Sequence, residues 1–279
     1  MDDDSRLGKR LEDTSAPLPR VEGRAWLTVK RRDGHSVIDT VRTSGAAKLL
    51  FPRATDRLDA LLVNTAGGLT GGDRIDLDIG IGRDATLALT TQAAERAYRA
   101  TAGTARVATR ATVAAGARLL WLPQELILYD RAALTRSLRI DLAPSARLLL
   151  VEPVIFGRTA MGETVHEGAF HDRIEIARDG TPLYLDALRL DGAVAARLAR
   201  PALGRGAGAM ASVVLVDPGA AGHLDAVRAG LPATGGATLL APDLLAIRLV
   251  AGDGYALRRV LLPVLDRLTM DTLPAAWRL

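Results

Sequence analysis

Three carboxylates stand in settings where carboxylates are rare. Asp73 closes a glycine-dense loop, Asn64-Thr65-Ala66-Gly67-Gly68-Leu69-Thr70-Gly71-Gly72-Asp73. Glu152 follows the apolar run Leu148-Leu149-Leu150-Val151 and precedes Pro153, and Asp186 interrupts Leu183-Tyr184-Leu185 and Ala187-Leu188. A lone carboxylate taken out of water is costly, so each must pair with a cation, accept hydrogen bonds from a backbone nest, or face internal water. Arg74, Arg158 and Arg189 are candidate partners, and simple pairing is the plainest reading. Two chemistries stay open beside it. A polar interior lined by carboxylates suits a hard or borderline divalent cation in transit. Two carboxylates about 5–10 Å apart around an open cleft would instead make the acid/base pair of a hydrolase or isomerase.

Other constellations do less. Glu163, His166, Glu167, His171 and Asp172 lie close together, as in a zinc protease. The two histidines are five positions apart, however, which turns a helix by about 500° and leaves the rings ~140° apart. On a strand the odd offset sends them to opposite faces, so the segment reads as a turn with exposed histidines. There is no Gly-x-Ser-x-Gly and no cysteine, and strand propensity accounts for Thr90, Thr91 and Thr159. The glycine loop is no phosphate cradle. A cradle needs a helix N-terminus after the glycines, and a Walker loop needs Lys followed by Ser or Thr. Here Asp73-Arg74 and the alternating run Ile75-Asp76-Leu77-Asp78-Ile79 follow, while the apolar Leu61-Leu62-Val63 precedes, so the loop joins strand to strand.

Composition narrows the class. The chain has 279 residues, a formal net charge of +4 and 48% hydrophobic residues, enough for a sizeable core. Its pI near 9.8 comes from arginine, because Lys9, Lys30 and Lys48 are the only lysines. These arginines alternate with acids, and aromatics make up only 4%, which argues against nucleic-acid binding and for solvated strand faces that favour acidic protein partners. The absence of cysteine excludes disulfides and thiolate metal sites and fits a reducing compartment. No apolar run approaches the roughly 20 residues that span a bilayer, and Asp2-Asp3-Asp4 is unlike a signal peptide, so a soluble cytoplasmic chain is expected.

The elements that must position these carboxylates are mostly strands. Residues 1–20 are polar, end near Pro17 and Pro19, and read as a disordered lead-in; residues 21–279 read as a single domain. Short runs separated by Gly, Pro or Asp predict strands over 24–29, 36–43, 85–90, 105–112, 118–122, 137–142, 148–151, 173–177 and 182–190. Several alternate apolar and polar residues as half-buried antiparallel strands do, whereas Leu148 to Val151 should be central. Helical spacing predicts helices over 223–231 and 255–270, the second with Leu257, Val260, Leu261, Val264, Leu265 and Leu268 on one stripe and Pro263 as a kink. A strand pair falls over 238–250, and no internal repeat is evident.

Three further segments are Thr90-Thr91-Gln92-Ala93-Ala94-Glu95-Arg96-Ala97-Tyr98-Arg99, Trp121-Leu122-Pro123-Gln124-Glu125 and Phe156-Gly157-Arg158-Thr159-Ala160-Met161-Gly162-Glu163. In this order, with the Asn64 to Asp73 loop before them and Trp277-Arg278-Leu279 at the end, the chain resembles the urease accessory protein UreD (UreH) family over residues 21–279. The resemblance implies a mainly β body, β-helix-like or of stacked sheets, with a few α-helices, mostly toward the C-terminus. It also implies a non-enzymatic maturation factor that binds the urease apoprotein and acts with UreF and the GTPase UreG in nickel delivery. No tightly bound cofactor is expected, only Ni²⁺ as transient cargo in an internal passage. Asp73, Glu152, Glu163 and Asp186 lie within the family motifs and are the candidate passage residues. The chain carries Asn64 where many relatives have His, which puts any metal role of that position in doubt. A scaffold that never touches nickel, and the carboxylate acid/base enzyme, remain the alternatives. The C-terminal helix is the expected UreF contact, with Arg258 and Arg259 as its exposed charges.

Overall fold

The computed structural model describes residues 20–53 and 56–278, so the lead-in expected over residues 1–20 lies outside the described residues apart from Arg20. The chain opens with a hairpin of β1 (Glu22–Arg32) and β2 (His35–Gly45), and β3 (Ala47–Leu50) then pairs with β4 (Leu58–Asn64). From β4 onward the backbone winds as a solenoid. The first coil is β4, the glycine loop and β5 (Arg74–Ile81). The second is β6 (Thr86–Thr91), β7 (Glu95–Ala97) and β8 (Ala105–Val113). β9 (Arg118–Leu122), β10 (Leu126–Leu128) and β11 (Ala133–Leu142) form the third, and β12 (Arg147–Phe156) with β13 (Glu167–Arg178) the fourth.

Each coil lies parallel on the one before, so residues stack in columns. Leu58, Leu87, Leu119 and Leu148 form one, and Leu69, Ala97, Leu128 and Phe156 another along the connecting edge. These coils share a pattern of inward and outward positions rather than residue identities, which is why the sequence shows no repeat. The parallel stacking corrects the antiparallel expectation for the alternating strands. A sheet with one face on the core and one in water alternates whichever way its strands run, and winding makes β5, β8, β11 and β13 parallel. In that sheet antiparallel pairing is kept to the margins, β1 with β2 and β13 with β14 (Thr181–Ala193).

Past β14, α1 (Val194–Ala199) leads to β15 (Ala209–Val216), α2 (Leu224–Gly230), β16 (Gly235–Ala241), β17 (Leu244–Ala251) and α3 (Gly254–Thr269). The result is two stacked sheets, one ordered β14-β13-β11-β8-β5-β1-β2 and the other β16-β17-β15-β12-β9-β6-β4-β3. Between them lies an apolar core, which includes Leu87, Leu119, Leu148, Ile140 and Ile176 toward one side and Leu134, Val154 and Phe170 toward the other. A second core packs Leu257, Leu261, Val264, Leu265 and Leu268 of α3 on Val213, Leu215, Leu245 and Ile247, so the helical stripe faces its own sheet. Asp253 caps this helix by accepting from the Ala256 N–H at 2.7 Å, and the helix continues through Pro263 as one element. β12 is buried on both faces, as its apolar run predicts.

Candidate functional site

The layer between the sheets carries a polar belt with apolar residues on both sides, Leu138, Leu150 and Ile174 on one and Leu134, Val154 and Phe170 on the other. Arg136 stands in register beside Asp172 in the first sheet, and Glu152, Ser212 and Arg248 stand side by side in the second. Strand phase puts them there. Arg136 alternates with inward Leu134 and Leu138, and Asp172 with Phe170 and Ile174, so both side chains point into the layer.

A cavity of about 300 Å³ opens at this belt. Its outer part is lined by Asn64, Gly67, Gln92 and Glu95, and its floor by Trp121, Arg136 and Glu152. A small void of about 10 Å³ continues beyond Glu152, bounded by Asp172, Asp186, Ser212 and Arg248. Glu152 lines both. The polar groups therefore form a file that crosses the interlayer from Glu95 to the partly exposed pair of Asp186 and Arg248.

At the mouth, the Asn64 side-chain amide donates to Glu95 at 3.2 Å and to the Gly68 carbonyl at 3.3 Å. Burial raises the Glu95 carboxyl above its usual range, partly offset by hydrogen bonds from the Arg96 N–H and Asn64. Deeper in, the Trp121 indole N–H donates to Glu152 Oε1 at 2.7 Å. Arg136 grips Asp172 with two hydrogen bonds, 2.9 and 2.5 Å, and its Nη1 lies 2.5 Å from Glu152 Oε2. That last approach is off line, so Oε2 faces a positive charge yet receives no hydrogen bond and is buried. Burial pushes the Glu152 carboxyl up to about 7; Arg136 pulls it down, Asp172 pushes it further up, and Trp121 pulls it down. Arg136 itself is held above its ordinary value, because Asp172 and Glu152 outweigh the burial that opposes its charge.

The four sequence-selected carboxylates divide. Glu152 and Asp186 lie on the file, Asp186 accepting from Ser212 Oγ at 3.1 Å and Arg248 at 2.5 Å. Asp73 is buried elsewhere, where Oδ1 accepts from the Val21 N–H at 2.9 Å and Oδ2 from the Thr70 N–H at 2.7 Å. It ties the start of β1 to the glycine loop. Glu163 accepts from the N–H groups of Arg158 and Asp130 and from the Arg158 guanidinium, which holds its carboxyl below the usual range. None of the expected arginines serves Asp73, Glu152 or Asp186: Arg74 pairs with Asp76, Arg158 with Glu163 and Arg189 with Asp191. On a strand, Arg74 and Arg189 reach the same-face residue two positions on, whereas buried partners come from other strands. His171 lies in β13 bonded to Asp191 at 2.6 Å rather than in a turn, with His166 exposed just before the strand. Among the described residues, no three His, Cys, Asp or Glu side chains converge as a metal cage would need.

Sequence reading missed Arg136, Asp172, Arg248 and Glu95 as site residues. The signal was legible for Arg136 and Asp172, each a charge in the phase of its strand's inward apolar residues. The glycine loop and the Gln124-Glu125 motif prove to be fasteners. A Cβ on Gly71 would lie 2.1 Å from the Ala102 carbonyl, so only glycine lets the first coil sit this close to the second. Gln124 Nε2 donates to the Ala276 carbonyl at 3.0 Å, Glu125 accepts from Arg258 at 2.8 Å, and Trp277 Nε1 donates to the Leu122 carbonyl at 2.9 Å. These bonds seat the C-terminus beside the cavity wall formed by Pro123 and Gln124.

Comparison with known proteins points to one family. The family model described as UreD urease accessory protein matches residues 21–278. The urease accessory protein UreD of Roseobacter denitrificans is 55% identical over 269 residues, covering 95% of this chain and 98% of the relative. That of Ruegeria sp. is 51% identical over 271 residues, covering 94% and 91%. The Rhizobium etli protein of the same name is 45% identical over 268 residues, covering 95% and 98%.

Proposed function

This chain belongs to the UreD urease accessory protein family, and from that premise we propose that it is a non-enzymatic maturation factor whose interlayer cavity carries nickel toward urease. In this reading it acts in the cytoplasm, binds the urease apoprotein, and works with UreF and the GTPase UreG. Nickel is cargo here, never a resident cofactor.

The observation that carries the route is Glu152, a buried carboxylate shared by two voids and left with one oxygen that accepts no hydrogen bond. A borderline cation such as Ni²⁺ takes carboxylate oxygen and water without being trapped, whereas a cage of His or Cys would hold its cargo. The file gives such an ion successive acidic stations at Glu95, Glu152, Asp172 and Asp186. Asp73 and Glu163 act as fasteners in this proposal: neither lines the cavity or the small void, and backbone N–H groups hold both oxygens of each. The UreF contact of α3 falls to its outer side, where Tyr255 and Arg259 stack at 5.9 Å, because the leucine stripe is covered by the sheet.

The test is Glu152→Gln, which keeps shape and the indole bond while removing the charge. Nickel incorporation into urease should fall about tenfold while the chain still co-purifies with its partners. Full incorporation by this variant would remove the cavity from the route and leave the scaffold reading.

A further inference from the structure

We infer that Glu152 and Asp172 form one two-carboxylate station, that the Arg136 guanidinium occupies it as a resident counter-cation, and that a divalent cation crosses the interlayer by displacing that guanidinium. This rests on the passage proposed above and names what governs it. Arg136 lines the larger cavity and Asp172 the small void, with Glu152 common to both, so the guanidinium stands at the junction between them. Its grip is uneven: two aligned hydrogen bonds to Asp172, but only a misaligned approach to Glu152 Oε2. The oxygen left without a donor faces the junction and is the place for an arriving cation to bind first.

Charge decides which cations can do this. With Glu152 ionised, two carboxylates and one guanidinium leave a net charge of −1 at the station. A monovalent ion that replaced Arg136 would gain nothing in charge, whereas a divalent ion neutralises both carboxylates. The displaced side chain has somewhere to go, because the cavity it lines holds about 300 Å³. Phe170, whose ring centroid lies 5.9 Å from the guanidinium carbon, steadies the seated position. Beyond the station, Asp186 is already claimed by Arg248 and Ser212, so the next step repeats the same exchange.

Arg136→Lys keeps the charge but cannot hold Asp172 in a two-point grip, and Phe170→Leu loosens the guanidinium without touching any charge. Ni²⁺ alone is titrated into each full-length folded variant by equilibrium dialysis. Both should retain Ni²⁺ at least tenfold more tightly than the unaltered chain, and adding Glu152→Gln should abolish the gain. Unchanged affinity in either folded variant, or a gain that survives Glu152→Gln, overturns the inference. Its failure is distinguishable from that of the passage. If Glu152→Gln lowers nickel incorporation while Arg136→Lys leaves Ni²⁺ affinity unchanged, the passage stands without a counter-cation; if Glu152→Gln incorporates nickel fully, the passage itself falls.

Discussion

Asp73 and Glu152 are almost equally buried, yet their surroundings assign them different work. Both oxygens of Asp73 accept backbone N–H bonds, which fixes a loop and leaves nothing to offer a ligand. Asp73→Ala should therefore cost about 2 kcal/mol by urea unfolding, the scale of stranding buried donors. A loss below ~0.5 kcal/mol would show that water replaces the carboxylate without penalty. Glu152 has one satisfied oxygen and one facing a misaligned cation. Its carboxyl is raised from 4.5 to about 7, so the folded chain keeps a proton that the unfolded chain releases. Proton uptake then favours the folded state, and this component of stability falls as pH rises from about 4.5 to 7 and is gone above it. Glu152→Gln should lack that slope, read as the pH dependence of the urea midpoint. A wild-type slope of opposite sign relative to the variant would refute the assignment.

At the scale of elements, α3 shows how an exposed face differs from a core face. Its leucine stripe was legible in the sequence, and periodicity could say that one face is buried but not against what. The structure covers the stripe with β15 and β17, and it converts Arg258 from an expected exposed charge into a tie that holds Glu125 and the Trp277 carbonyl. Arg259 is the exposed one. Arg258→Glu should destabilise the fold by about 3 kcal/mol, because it sets two carboxylates together around a partly buried pair. Arg259→Glu should leave the melting temperature unchanged and weaken co-purification with UreF. Equal stability losses in both variants would return the two arginines to one role. Strand positions were likewise legible, since period-two alternation survives in any half-buried sheet. Strand direction was not, because the same alternation serves parallel and antiparallel neighbours alike.

Across the whole molecule, the file from Glu95 to Asp186 is assembled from strands far apart in the chain, and in the proposed passage its members act in series. Asp186→Asn should lower nickel incorporation on its own, and combining it with Glu152→Gln should lower it little beyond the worse single variant. Multiplicative losses would mean two independent routes. The sequence by itself determined that this is a mainly β chain with carboxylates in costly places, and its motifs carry the resemblance to the UreD family, because periodicity and local motifs are properties of neighbours along the chain. Only the tertiary structure decided which carboxylates face the cavity and the void beyond it. Glu152 meets Arg136, Asp172 and Trp121, and Asp186 meets Arg248, because coil winding sets strands from distant parts of the chain face to face. Burial and charge compensation are fixed across that gap, where sequence adjacency carries no information.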